Sequence, residues 1–336
     1  MPRAILVTGG AGYVGSHTAK ALAGAGYLPV VYDDFRRGNR WAVKWGPLVE
    51  ASLEDADALL SAMRRYDVAA VMHFAAYAYV GESMADPSLY FRNNVANSAG
   101  VLDAMVAAGV PALVISSTCA SYGVPPAIPI SEDMPLTPIN PYGASKVMME
   151  DMAKWYGQAH GLRTVALRYF NAAGADPQGE IGECHDPEPH IIPLVIEAAL
   201  GTRDHIAING TDYPTHDGTA VRDYVHVSDL ARAHVAALQR LLEGGDSAVC
   251  NLGTGRGVSI RQIIECASEV CGQAPTVKLG PRRPGDPPEL VADPGRARSL
   301  LHWQAERSDL PLIMGDAVRW TRDILPGVLK NAPAGR

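Results

Sequence analysis

An α/β fold is predicted by this sequence: a doubly wound parallel sheet with a smaller α/β domain attached. Three observations predict it. Short apolar runs alternate with helical patterns through the first half of the 336-residue chain. A glycine-rich turn joins the first apolar run to the first helix. The alternation then loosens after Asn171, with Gly and Pro frequent between residues 174 and 193. Strands and helices in alternation pack as a parallel sheet covered on both faces.

The elements follow in order. Residues 4–8 (AILVT) read as a buried strand, and residues 16–22 as a helix. Between them Gly9, Gly12 and Gly15 form G-x-x-G-x-x-G, a variant of the dinucleotide turn of Rossmann-type sheets. Missing side chains let the backbone approach a pyrophosphate, whose charge sits at the helix N-terminus. A second strand, residues 28–32, ends in Asp33 and Asp34. A carboxylate there accepts hydrogen bonds from ribose hydroxyls, so the cofactor expected is NAD. Arg36 and Arg37 suit a 2′-phosphate, but Asp33 would repel it. Residues 68–74 form the next strand, followed by Ala75 and Ala76; a helix opens at Asn93 and runs toward Ala108. Residues 112–117 and 164–170 read as further strands. Ligands bind beyond the carboxyl ends of such strands, where Phe74, Ser117, Thr118, Phe170 and Asn171 lie. The expected division is residues 1–171 for the dinucleotide domain and 172–330 for the second, with later chain crossings. Residues 326–336 read as a frayed tail.

Tyr142 and Lys146 carry the clearest chemical signal. Pro141 suits a first helical position, and the two residues, four apart, share one helix face. A phenol titrates near ~10, too high for a base at neutral pH. A fixed ammonium nearby favours phenolate and brings it into range. Such a pair can take the proton of an alcohol while the adjacent carbon loses hydride.

The chain resembles the extended short-chain dehydrogenase/reductases, and among them the UDP-glucose 4-epimerase family, from about residue 5 to 323. The resemblance rests on TGGAGYVGSH (8–17), HFAA (73–76), VGES (80–83), NNV (93–95), SST…YG (116–123), PYGASK (141–146) and LRYFNAAGA (167–175). It continues through GTDYPTHDGTAVRDYVHVSDLA (210–231), NLGTG (251–255) and RRPGD (282–286). It implies an isomerase that inverts C4 of a UDP-sugar. Tyr142 takes the 4′-hydroxyl proton, Thr118 holds the reacting oxygen, and Lys146 binds the nicotinamide ribose and lowers the Tyr142 pKa. The NAD is not consumed. The resemblance implies cofactor contacts from Gly9, Gly12, Tyr13, Val14, Gly15, Asp33, Asp34, Ser52, Leu53, Phe74, Ala75, Ala76, Asn94, Ser116, Tyr142, Lys146, Tyr169 and Phe170. Substrate contacts are implied at Thr118, Tyr142, Asn171, His190, Ile191, Asn209, Arg222, Arg283, Asp286 and Leu290. The two arginines neutralise the diphosphate, since a planar guanidinium matches phosphate oxygens. Asp286 accepts from a uridine ribose hydroxyl.

Several positions depart from the best-known form of this family. Thr118 replaces a Ser and keeps its hydroxyl. Ala78 replaces a cofactor-contacting Lys, Ser52 replaces an acid near the adenine, and His190 replaces an Asn. Leu290 falls where a bulky Tyr closes the hexose pocket in some members and a small residue opens it in others. Residues 78–83 and 117–120 also resemble UDP-arabinose/xylose 4-epimerases, so pentose activity is an alternative, as is tolerance of N-acetylhexosamines. A nucleotide-sugar dehydratase would carry an acidic pair after Thr118, where Cys119 and Ala120 stand. A silent NAD-binding module would lack the Tyr and Lys.

Other expectations are negative or structural. A formal net charge of −7 argues against nucleic acid as a partner. Cys119, Cys184, Cys250, Cys266 and Cys271 include no C-x-x-C pair, which suits a reducing cytoplasm. No signal peptide precedes the first strand and no apolar run spans a bilayer, so no membrane association is expected. Residues 184–190 hold metal-ligand types, but two prolines interrupt them and a nucleotide-side loop is expected there, with no metal. His73 is expected behind the cofactor strand, and Trp41 and Trp45 in the core. The resemblance implies a homodimer through helices 97–108 and 142–159. Leu102, Met105, Met149, Met152 and Trp155 are the candidate interface residues, their own core being the alternative.

Overall fold

A computed structural model describes residues 2–283 and 286–332. Its centre is a seven-stranded parallel sheet. Six strands come in chain order: β1 (Ala4–Thr8), β2 (Leu28–Asp33), β3 (Leu48–Glu50), β4 (Val68–His73), β5 (Ala112–Thr118) and β6 (Arg163–Tyr169). The chain runs from β1 outward to β2 and β3, then returns to lay β4 on the other side of β1, followed by β5 and β6. The direction of winding therefore reverses between β1 and β4, where an open sheet forms its ligand crevice. The seventh strand, Ala248–Leu252, pairs with β6 and arrives from well beyond Asn171. It is brought back by the helix Val227–Leu242, whose Leu230, Leu238 and Leu241 join Val7, Met72 and Val114 in one core layer.

Successive β1 residues explain why the strand is apolar throughout. Ile5 and Val7 face that layer, while Leu6 faces a second one with Tyr32, Val71, Leu113 and Met149. Helix α1 (Tyr13–Gly24) covers the first face, and α2 (Ala56–Arg65) with helices Asn97–Ala108 and Pro141–His160 covers the other. The last of these starts as its sequence dictates. Asn140 Oδ1 accepts from Gly143 N at 2.8 Å, Pro141 occupies the first turn, and Gly161 ends the helix with φ 73°. The α1 start has no side-chain cap, so its amides stay open toward the crevice.

The second layer corrects the interface expectation. Leu102, Met105 and Met149 are buried in the chain's own core, and Met152 packs against it. These residues lie on the faces turned to the sheet. The exposed apolar side chains on the two helices are Val106, Met148 and Trp155, the last 67% exposed. The helix expected from Asn93 begins instead as a π-helical turn, Phe91–Ala96, before Asn97.

The smaller domain is built of short sheets. Asn171–Ala173 pairs with Tyr224–His226, Val221–Arg222 lies between Val258–Ser259 and Glu289–Leu290, and Ile206–Asn209 pairs with Val277–Gly280. Helices Ile191–Ala199, Ile260–Cys271 and Leu310–Arg319 close its core through Val195, Ile196, Ile263, Ile313 and Met314. The tail expectation fails in part, because Leu325–Asn331 is helical with Pro326 in its first turn. Residues 333–336 lie outside the described residues. No helix among the described residues is long and apolar enough to cross a membrane.

The turn after β1 is the tightest point. A Cβ on Gly15 would sit 2.2 Å from the Gly9 carbonyl oxygen, which a backbone carbonyl cannot yield to. Gly15→Ala is expected to destabilise the chain by about 1–3 kcal/mol. Urea denaturation with an unchanged midpoint would contradict this packing.

Candidate active site

The crevice holds a cavity of about 440 Å³. One end is the glycine turn. Gly9 has φ 70°, and a Cβ there would meet Ala75 N at 2.6 Å, so the ends of β1 and β4 nearly touch. Asp33 closes this end from β2: its Oδ2 accepts from Ala11 N at 2.9 Å and its Oδ1 from Phe35 N at 2.9 Å. Burial pushes the Asp33 carboxyl up, and the Phe35 and Ala11 amides oppose that shift. The neighbouring cations are already paired. Arg36 bridges Asp34 and Glu54, and Arg37 Nη2 bonds Glu82 Oε1 at 2.5 Å while its guanidinium lies over Tyr77 and Tyr79. This leaves an acid, and no unpaired arginine, at the end of β2. That pattern fits NAD, as do the bare glycine cradle and the uncapped α1 amides. Gly12, Tyr13, Val14, Asp34, Ser52, Leu53, Phe74 and Ala76 line the same wall.

The opposite wall holds the chemistry. Thr118 ends β5, Tyr142 and Lys146 stand in the first turns of their helix, and all three line the cavity with Ser116, Tyr169 and Phe170. Lys146 is only 2% exposed, and its Nζ donates to the Ser116 carbonyl at 2.8 Å. Burial lowers the Lys146 pKa to about 8, against a raising influence from Glu150. Tyr169 Oη and Ser116 Oγ are 2.6 Å apart. Beneath them Glu150 takes the Ser117 hydroxyl and pairs with Arg168, whose Nη1 donates to Tyr122 Oη at 3.0 Å.

The protein groups around Tyr142 on balance oppose its ionisation. Burial holds this phenol above its ordinary value, the nearby Tyr169 adds to the shift, and only the Thr118 hydroxyl opposes it. Lys146 directs its donor to the Ser116 carbonyl. Cys119 is inert for a related reason, its thiol being pushed up to about 12 by burial.

The substrate end is partly as expected. Asn171, His190, Arg222, Asp286 and Leu290 line the cavity. Arg222 Nη2 is paired with the Asp286 carboxylate, and its Nη1 donates to the Val221 carbonyl at 2.7 Å. Four residues expected at the cofactor or the substrate, Asn94, Ile191, Asn209 and Arg283, are not among those lining the cavity. The Asn94 amide is taken by Tyr77 N and O and by Ser145 Oγ, so Asn94 braces the wall from behind. Ile191 packs against the small domain's core. Asn209 Oδ1, in the orientation its neighbours require, accepts from Arg283 Nε and Nη2 at 3.0 and 3.1 Å, away from the cavity.

Sequence reasoning missed Glu183, His185, Tyr77 and Tyr79, which also line the cavity. The loop at residues 184–190, with Glu183 just before it, draws Glu183, His185, Glu188 and His190 together, with donor atoms all within 4.8 Å of one another. The signal was present as Glu-x-His-x-x-Glu-x-His, but only folding shows that two prolines turn these side chains inward. Burial opposes charge on both imidazoles, yet Glu183 and Glu188 outweigh it and raise His185 to about 9 and His190 to about 10.

Comparison with known proteins agrees with this geometry. Residues 5–253 match the model of the NAD dependent epimerase/dehydratase family. The chain belongs to the NAD-dependent epimerase/dehydratase family. It is 49% identical over 333 residues to the UDP-glucose 4-epimerase of Azospirillum brasilense, covering 98% of this chain and 96% of that one. Over 316 residues it is 48% identical to the UDP-glucose 4-epimerase of Rhizobium meliloti, with 94% and 96% covered. The crystal structure of the Brucella ovis UDP-glucose 4-epimerase in complex with NAD superposes with a TM-score of 0.93 at 50% identity, covering 95% and 98%. This family member also matches the Bifidobacterium longum UDP-glucose 4-epimerase in complex with NAD+ and UDP, at TM-score 0.91 and 32% identity over 96% and 99%.

Three buried histidines give this epimerase-family chain a pH signature. Burial lowers His17 and His234 to about 4 and His73 to about 3. Unfolded histidine titrates near ~6.5. Below that value the unfolded chain takes up protons that the folded chain refuses, so stability present above ~6.5 is lost as pH falls toward 4. His185 and His190 have the opposite sign, but their contribution is complete below about pH 6. Urea midpoints are expected to fall between about pH 6 and about pH 4.5. A midpoint that stays flat over that range would contradict it.

Proposed function

We infer that this chain is a UDP-glucose 4-epimerase, binding NAD and inverting C4 of the sugar. The observation that carries the reading is one cavity with a glycine cradle on one wall and Thr118, Tyr142 and Lys146 on the other. No acidic side chain follows Thr118, so the wall lacks the groups a dehydratase needs.

NAD+, when bound, would supply the acceptor for the C4′ hydrogen and a positive charge to the cavity. The residues do the rest. Gly9, Gly12 and Gly15 admit the pyrophosphate, and Asp33 and Asp34 hold the adenosine end. The Tyr142 oxygen takes the 4′-hydroxyl proton and later returns it, with Thr118 fixing the reacting oxygen. A buried tyrosine acts as base only where a positive charge offsets burial, so deprotonation of Tyr142 is coupled to cofactor occupancy. Lys146 orients the ribose and remains charged because Glu150 lies one turn further on. Arg222 leaves Asp286 to meet the diphosphate, and Asp286 turns to a uridine ribose hydroxyl. The 4-keto sugar then rotates between Thr118 and Leu290 while its diphosphate stays held. Leu290 packs with Cys119 and Phe170, and all three line the cavity with apolar side chains suited to such rotation.

Product analysis with UDP-glucose, UDP-galactose, UDP-N-acetylglucosamine and UDP-xylose, with no NAD added, tests the reading. Interconversion of the first two is expected. Conversion of UDP-xylose alone would replace it with the pentose activity. A requirement for stoichiometric NAD would replace it with a dehydrogenase. Tyr142→Phe is expected to keep both ligands and lose turnover by on the order of 10²–10⁴-fold. Near-normal turnover would sink the role given to Tyr142.

The same reading includes a homodimer across the helices Asn97–Ala108 and Pro141–His160. The exposed Trp155, Met148 and Val106 support it, because one apolar patch used twice forms a two-fold interface. Trp155→Glu is expected to shift light-scattering mass from dimer toward monomer at micromolar concentration. An unchanged dimer would place the interface elsewhere.

A further inference from the structure

The loop from Glu183 to His190 brings two imidazoles and two carboxylates into an alternating ring. His190 Nδ1 lies 2.8 Å from Glu183 Oε1 and 2.9 Å from Glu188 Oε1. His185 Nδ1 lies 3.3 Å from Glu183 Oε1 and 3.2 Å from Glu188 Oε2. Two Nδ1 atoms carry at most two protons, while three carboxylate oxygens face them. Each N–H has one direction and cannot serve two acceptors well. The shortfall falls on Glu183 Oε1, which is buried and has no hydrogen bond aimed at it. Glu183 itself is 8% exposed. A buried carboxylate oxygen left in this way is costly.

We propose that Glu183, His185, Glu188 and His190 form a binding site for one divalent transition-metal cation, zinc being the ion that the donor set suits. A cation at the centre meets all four donors at once, and it has no direction to satisfy. The donor set is two imidazole nitrogens and two carboxylates, which favours zinc over magnesium or calcium. Zinc bonds of about 2.0–2.2 Å in a tetrahedron hold neighbouring donors about 3.3–3.6 Å apart. The four His–Glu pairs here, at 2.8–3.3 Å, need to spread by a few tenths of an ångström, and all four donors already lie within 4.8 Å of one another. Charge balance is met as well, since a dication and two carboxylates cancel.

The surroundings make it a structural site, with all four positions filled by the protein. The loop is fixed at its base, Trp320 Nε1 donating to the Glu183 carbonyl at 2.9 Å and Asn39 Nδ2 to the Cys184 carbonyl at 3.0 Å. Above it, the rings of Tyr79 and Tyr13 meet His185 edge-on at centroid distances of 6.0 and 6.2 Å. Tyr13 belongs to the glycine turn, and its hydroxyl donates to the Gly174 carbonyl at 2.5 Å. A filled site would therefore stiffen the cavity wall shared by the glycine turn and the small domain.

The full-length NAD-loaded protein, chelator-treated and desalted, tests this with zinc chloride alone in competition with a chromophoric chelator. One zinc per chain is expected, with a raised unfolding temperature. Magnesium chloride should produce neither. Cobalt(II) should give the intense visible bands of a four-coordinate ion. Glu188→Gln and Glu183→Gln keep the shape of the loop while removing a charged donor. Each is expected to weaken zinc at least tenfold and to abolish the zinc-dependent rise in unfolding temperature. Zinc bound no better by wild type than by these folded variants, or a six-coordinate cobalt spectrum, would overturn the site and leave a ring of ion pairs. Neither readout depends on turnover, so failure here is distinguishable from failure of the epimerase reading.

Discussion

The close approach of backbone to backbone at the end of β1 is the constraint on which the rest of the structure depends. Gly9 lies against Ala75 on β4's end, and Gly15 beneath Gly9, with room for no methyl group at either place. This contact sets the start of α1 and points its uncapped amides into the crevice. It also brings Ala11 N within reach of Asp33, which ties the turn to β2. A dinucleotide can lie there because the backbone itself is the surface. Any side chain would hold the phosphates away from the amides.

Across the crevice the electrostatics are arranged by burial. Burial lowers the Lys146 ammonium, Glu150 opposes that shift, and the Ser116 carbonyl accepts its hydrogen bond. Glu150 is in turn held by Arg168 and Ser117, and Arg168 reaches Tyr122. The chain thus links the helix bearing Tyr142 to β5 and β6, the strands whose ends form the wall. A buried ion pair of this kind is weak evidence for stability, and its value here is positional. Burial and the neighbouring Tyr169 raise the Tyr142 phenol, and the Thr118 hydroxyl opposes them.

Arg222 and Asp286 show a related economy. Each side chain named for the nucleotide is already paired with the other, so neither charge lies unpaired at the cavity wall. Asn94 and Asn209 have likewise found protein partners.

The sequence alone determined the sheet and its glycine turn, because both depend on local patterns. Apolar runs such as AILVT can be buried only as central strands, and the spacing of Gly9, Gly12 and Gly15 permits one turn geometry. Tyr142 and Lys146 were legible for the same reason, since a four-residue spacing fixes a shared helix face. Tertiary structure decided what depends on distant neighbours. Ala248–Leu252 returns to the large sheet because its partner β6 lies far back in the chain. Met149 turns inward and Met148 outward by one residue's rotation, which composition cannot distinguish. The phenol's pKa followed burial more than its helical neighbour, because desolvation is a property of the whole enclosure. The four donors between Glu183 and His190 met only once the loop had folded across its prolines, since convergence of side chains is a fact of three dimensions that spacing in one cannot express.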